Sequence, residues 1–221
     1  MLHLLLNLYD MLYEIIVVYS LQLFHHHLTF ATEYSTDVNL LLAVGTPLPY
    51  DVYPVTGPFG YRGRPAIEFT TNSYIGRYAR DLLPLPFYAD FGIKVTVFLH
   101  SIRGGVLFSV VSPDQKENVL LLEVKQYGKH NQTIDLLYRN SNPSEVYKAR
   151  FIVPSFDRKW TVFSIAVRGQ EIWLYFNGCT IIKGLGLKKR RERLVIGRQS
   201  VVYIGRAGWY SRKKALFVSL F

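Results

Sequence analysis

The chain is expected to fold as an all-β protein, an antiparallel two-sheet jelly-roll sandwich with a short N-terminal helix. Three observations predict this. Short segments of alternating apolar and polar residues follow one another at regular spacing, with Gly, Pro and Asn clusters between them, the pattern of a sandwich or barrel. Tyr and Phe number 16 and 14, and aromatic side chains suit a pleated, half-buried surface. No strand-like segment alternates with a long helical one, which argues against a parallel α/β sheet. With 221 residues, 49% of them hydrophobic and 19% charged, the chain has the material for one large core and lacks the composition of a disordered segment.

The elements follow in order. Residues 37–44 carry apolar residues at helical spacing behind Asp37 as an acidic N-cap; Gly45, Pro47 and Pro49 stop the helix after one or two turns. Residues 54–65, rich in Gly and Pro, read as loop. Phe91, Ile93, Val95, Val97 and Leu99 then alternate with Gly92, Lys94, Thr96, Phe98 and His100, so the five are expected to face the core. Gly104-Gly105 breaks the chain before a strand over 106–111. Strands are expected over 119–124, 134–138, 149–153, 160–167 and 172–176, with a polar turn over 140–144 and another at Arg168-Gly169-Gln170. Asn177-Gly178 is a hairpin signal, because a type I′ turn needs positive φ at both central residues. Shorter strands are expected at 195–196 and 201–204, then a terminal apolar run from Leu216. Trp160 and Trp173 are expected in the core, where large aromatics bury most area.

Residues 1–31 differ from the rest. They are strongly apolar, centred on Ile15-Ile16-Val17-Val18, and Thr29 and Ala31 are small residues at the −3 and −1 positions of a cleavage after Ala31. The segment is read as an atypical signal peptide, with residues 32–221 as the domain. Asp10 and Glu14 interrupt its start, and no run reaches the roughly 20 apolar residues of a membrane helix. No membrane span is therefore expected; a membrane anchor and a non-native N-terminus remain the other readings. His25-His26-His27 lacks the spacing that converges on one ion, so no metal site is expected.

Charge is segregated along the chain. The formal net charge is +10. From Lys183 to Lys214 eleven Lys or Arg face one acid, Glu192, while the other fifteen basic and fifteen acidic residues cancel. This localised excess points to a polyanionic partner. Lys188, Lys189, Arg190, Arg191 and Arg193 are the candidate heparin-binding residues, with Arg212, Lys213 and Lys214 joining them if the last strand lies alongside. Arg and Lys meet sulfate through charge-assisted hydrogen bonds, and Arg adds a bidentate fork. A solvated loop and a nucleic-acid contact are the alternatives. No two carboxylates stand at the i, i+2 spacing that would put a glycosidase pair on one strand face. Nucleophile-elbow, zinc and phosphate-loop motifs are absent too. The chain is thus expected not to be an enzyme and to need no cofactor. Asn131-Gln132-Thr133 is a sequon that marks Asn131 for N-glycosylation on secretion, and Asn142-Pro143-Ser144 is barred by its proline. Cys179, the one cysteine, packs as a small hydrophobe if it is a buried free thiol, and no motif-linked His is present to make it a catalytic one.

Several segments resemble a known family in their order. Tyr88-Ala89-Asp90-Phe91 opens the alternating strand, and Gly105-Val106-Leu107-Phe108-Ser109-Val110 follows. Next come Leu120-Leu121-Leu122-Glu123-Val124, Ile134-Asp135-Leu136-Leu137-Tyr138, Trp160-Thr161 and Ile172-Trp173-Leu174-Tyr175. Tyr203-Ile204-Gly205-Arg206-Ala207-Gly208 stands near the end. Over residues 36–208 this succession resembles the thrombospondin N-terminal-like (laminin G-like) domain, nearest to the non-collagenous N-terminal domain of the multiplexin collagens. The resemblance implies a concanavalin-like jelly roll, secretion into the extracellular matrix, a role in adhesion, and sulfated glycosaminoglycans or matrix proteins as partners. It also implies that Cys179 pairs with a cysteine outside the chain, and that any trimer forms through a collagen segment outside it. Residues 212–221 lack the glycine and acid of the family's last strand, so a truncated or altered end is expected there.

Overall fold

In a computed structural model the chain divides into Met1–Asp37 and Val38–Phe221, and the described elements belong to the second unit. The structure describes residues 37–56, 60–139, 146–178, 180–183, 193–208 and 218–220, with the side chains of 183 and 218–220 excepted. These residues form two antiparallel sheets. In one, the order is β1 (Val52–Val55), β2 (Ala66–Phe69), β13 (Val218–Leu220), β4 (Phe91–Leu99), β9 (Trp160–Arg168), β10 (Glu171–Phe176) and β11 (Thr180–Lys183). In the other it is β3 (Ile75–Tyr78), β12 (Val201–Ile204), β5 (Gly104–Val111), β6 (Asn118–Tyr127), β7 (Asn131–Arg139) and β8 (Val146–Pro154). A 3-10 turn over Leu40–Val44 and the one-turn helix α1 (Ala79–Leu82) complete the described elements.

The core lies between the sheets because the two-residue period puts alternate side chains on one face. Val95, Val97 and Leu99 of β4 are buried, and Phe91 and Ile93 pack against the same core, as expected. Phe163, Ile165 and Val167 of β9 and Ile172 and Leu174 of β10 join them from that sheet. From the other sheet come Leu120, Leu122 and Val124 of β6, Ile134 and Leu136 of β7, and Ala149, Phe151 and Val153 of β8. Polar side chains sit on the inner faces too, Thr161 and Gln132 among them. Gln132 is fully buried, yet its amide donates to the Ile102 carbonyl at 2.9 Å and its oxygen accepts from the Phe156 amide at 2.9 Å.

Several expectations need correction. The cap of the 3-10 turn is Asn39, whose side chain accepts from the Leu41 amide at 3.0 Å, and not Asp37. An Asn one residue before the first helical position has the reach for this bond. Gly104 does not break the chain ahead of β5 but begins it, at φ 70°, where an added Cβ would meet the Val124 carbonyl. Asn177 and Gly178 do take positive φ (49° and 89°), yet Phe176 pairs with Thr180, which makes the hairpin loop one residue longer than a type I′ turn. Residues 195–196 form no ladder; Leu194 and Ile196 are buried while Arg193 and Val195 face out, an extended segment that seals the core without pairing. Part of the 54–65 loop is strand, since β1 runs through Pro54 at a sheet edge, where proline is tolerated. Trp160 and Trp173 are only half-buried, because they are out of phase with Phe163, Ile165, Ile172 and Leu174 and so stand on the outer face. There Trp160 packs against Tyr61 and Phe98, with ring centroids 5.6 and 5.7 Å away. The turn over 140–144 lies outside the described residues.

Candidate functional site at the basic end of the sandwich

The register identifies one end of the sandwich as the place where the chain crosses between sheets. Tyr78, the last residue of β3, pairs with Val201, the first of β12, and Val201 pairs on its other side with Val111. In the opposite sheet Phe91 pairs with Val167, Val167 with Ile172, and Trp173 with Lys183. The link from Tyr78 to Phe91 and the link from Lys183 to Val201 therefore run between the same ends of the two sheets. The second link contains the basic run. It departs from the end of β11 and returns through Arg193, which is exposed, and through the buried anchors Leu194 and Ile196.

Described cations flank this end. Arg168 and Gln170 are exposed in the β9–β10 turn, which is tied to the start of β4 by the Gly169 amide donating to Asp90 at 2.8 Å. Arg198 is exposed in the turn before β12, where the Ser200 amide donates to the Gly197 carbonyl at 3.0 Å. Arg80 lies over the Tyr78 ring at 4.4 Å, with its Nε 3.6 Å from Asp81. Lys188, Lys189, Arg190, Arg191, Arg212, Lys213, Lys214 and Cys179 lie outside the described residues. The last strand, β13, is not alongside β11: β4, β9 and β10 stand between them. Asn131 is exposed at the first position of β7, next to the β6–β7 turn. Because β6 starts beside the β5–β6 turn at the basic end and finishes at Tyr127, opposite Asn131, the sequon stands at the other end of the molecule.

A second charged constellation, missed in the sequence, occupies the outer face of the six-stranded sheet. Register sets Glu123 of β6 opposite Asp135 of β7, and Asp135 opposite Arg150 of β8. Asp135 is wholly buried; it accepts from Arg150 Nε at 3.0 Å and Nη2 at 3.1 Å, and from Lys148 Nζ at 2.7 Å. Lys125 bonds Glu123 and stands 3.9 Å from Asp135. Burial pushes the Asp135 carboxyl up, but the hydrogen bonds from Arg150 and then Lys148 outweigh it and hold the group below the usual carboxylate range. The same pairing with Asp135 raises Arg150 further. Two carboxylates facing each other across strands evade a search along one strand. Among the described residues no group of His, Cys, Asp and Glu is placed to hold a metal ion. No described helix is long and apolar enough to cross a membrane.

No protein-family model matches the chain. Against curated proteins it is similar to the collagen alpha-1(XVIII) chain of Homo sapiens, 28% identical over 182 residues. That match covers 80% of this chain and 10% of the collagen, so the chain spans about a tenth of its relative's length. The resemblance to the laminin G-like domain of the multiplexin collagens is thereby borne out. Among solved structures, domains LG4-5 of the mouse laminin alpha1 chain superpose with a TM-score of 0.48 at 10% identity, over 68% of this chain and 38% of that one. A pentraxin of Limulus polyphemus gives 0.44 at 12% identity, over 62% and 69%.

Proposed function

We propose that this domain is an extracellular matrix binding module of a collagen-like protein, and that the segment from Lys188 to Arg193 binds heparin or heparan sulfate. The observation that carries the proposal is charge segregation: the whole net excess of +10 falls between Lys183 and Lys214. The described cations support it, because Arg168, Arg193 and Arg198 are exposed at the end of the sandwich where the chain passes from one sheet to the other. Similarity to a collagen chain supports the matrix setting. Sulfated chains are dense polyanions, so by analogy with nucleic acid the affinity should fall steeply with salt as counterions are released. Competition tests the ligand class. Heparan sulfate should displace a labelled heparin oligosaccharide from the chain at physiological salt more effectively than a DNA duplex of equal charge. Stronger displacement by the duplex would favour the nucleic-acid alternative.

The remaining features are part of the same proposal. Residues 1–31 act as the signal peptide, Asn131 carries a glycan, and the domain acts by binding and not by catalysis. Asn131 is exposed, and a glycan there leaves the basic end uncovered. Cys179 pairs outside the chain in the secreted protein. Thiol labelling of that material should fail without reductant, and labelling without it would leave Cys179 a free thiol.

A further inference from the structure

The cations on the outer face of the six-stranded sheet outnumber the acids beneath them. Lys148 Nζ stands 2.7 Å and Lys125 Nζ 3.9 Å from the same Asp135 oxygen, so the two ammonium groups are at most 6.6 Å apart. Arg150 grips both oxygens of that carboxylate. The acids are sunk in the sheet, Asp135 at 0% and Glu123 at 5% side-chain exposure, whereas Lys125, Lys148 and Arg150 keep 40%, 36% and 42%. A solely neutralising network would need two cations, and here there are three. An ammonium carries three N–H donors and a guanidinium five, and the contacts to the carboxylates use a minority of them. Their partial exposure leaves the remaining donors within reach of a ligand.

We infer that Lys125, Lys148 and Arg150 form a second oxyanion-binding surface that takes sulfate groups of a sulfated glycan. Charge-assisted hydrogen bonds run about 2.7–2.9 Å, so one tetrahedral oxyanion can bridge the two ammonium groups while the guanidinium meets a neighbouring oxygen. The buried acids hold the three side chains in place before any ligand arrives, so binding does not have to order them, which is the advantage of preorganisation. The inference rests on the proposed function for its ligand class only; none of these three residues belongs to the basic segment.

The test uses the full chain carrying Arg190→Ala, Arg191→Ala and Arg193→Ala, titrated with a heparin-derived tetrasaccharide and followed by backbone amide shifts. Saturable shifts are expected at Lys125, Lys148 and Arg150. Adding Lys125→Gln and Lys148→Gln should weaken that response about tenfold and reduce the log–log salt slope by about 2. These substitutions leave the Arg150–Asp135 grip in place, and undisturbed shifts elsewhere report the fold. As a charge control, Lys94→Gln with Lys159→Gln removes two exposed cations from elsewhere on the chain and should weaken binding by less than about threefold. Equal losses from the two pairs, or silent amides on this face, overturn the inference. The drop in heparin-column elution salt from the unsubstituted chain to the triple variant, read separately, decides the proposed function. A silent outer face with that drop intact removes this surface alone.

Discussion

The side-chain oxygen of Gln132 accepts the Phe156 amide at 2.9 Å, a bond buried from solvent that ties the inside of β7 to the loop entering β9. The same side chain holds the Ile102 carbonyl at 2.9 Å, so one residue satisfies two loops across the core. Replacing Gln132 by Leu strands a donor and an acceptor away from water. A buried unsatisfied group costs about 1–3 kcal/mol, so Gln132→Leu should lose about 2–4 kcal/mol in urea unfolding. A loss under about 0.5 kcal/mol, the scale of a surface change, would contradict this bonding.

Gly104 makes an independent prediction about backbone geometry. Its φ of 70° and its closeness to the Val124 carbonyl leave no room for a methyl group. Gly104→Ala should destabilise by at least about 2 kcal/mol, combining left-handed strain with a backbone clash. Stability equal to the parent would mean that β5 and β6 do not meet in this register.

Leu99 tests the expected face of β4. It is fully buried, so Leu99→Ala should cost about 2–5 kcal/mol, while the same truncation of exposed Val195 (60%) should stay within about 0.5 kcal/mol. Comparable losses at the two sites would reverse the assignment of faces.

Asp135 predicts the acid limb of the stability curve. Its folded carboxyl is held low by Arg150 and Lys148 against the opposing effect of burial. A depressed pKa adds stability that is fully present above the unfolded value, near about 3.9, and is lost as pH falls through the folded one. Asp135→Asn should therefore be less stable than the parent at neutral pH and should lose less stability on acidification below about pH 4. Parallel curves for the two proteins would show that the carboxylate is not coupled to folding.

Much of the architecture was legible because a two-residue period fixes a face. β9 and β10 alternate cleanly and β4 does so in part, while β5, β6 and β7 are buried on both faces at their centres and read as strands from their apolar, β-branched runs. The first three strands are four residues each, and they contain Pro54 and Gly76, so no period emerges over so short a span. Trp160 and Trp173 were misplaced although the signal was present: parity with Thr161 and Phe163, or with Ile172 and Leu174, puts each tryptophan on the outer face. The Asp135 cluster depends on the cross-strand register of β6, β7 and β8. Nothing in the order of residues brings Lys125 to Lys148. The basic segment was legible from charge alone; the pairing of Lys183 with Trp173 and of Val201 with Tyr78 fixes where the described chain leaves one sheet and enters the other, and residues 184–192 between them lie outside the described residues.

The central claim is most directly tested on a heparin column at physiological salt. The parent chain should be retained, and the variant with Arg190, Arg191 and Arg193 replaced by Ala should elute at clearly lower salt while unfolding within about 0.5 kcal/mol of the parent, as surface changes do. The salt needed to elute the parent should exceed that for the variant, because three fewer cations release fewer counterions. Unchanged elution of the triple variant would contradict the assignment of the heparin site to this segment.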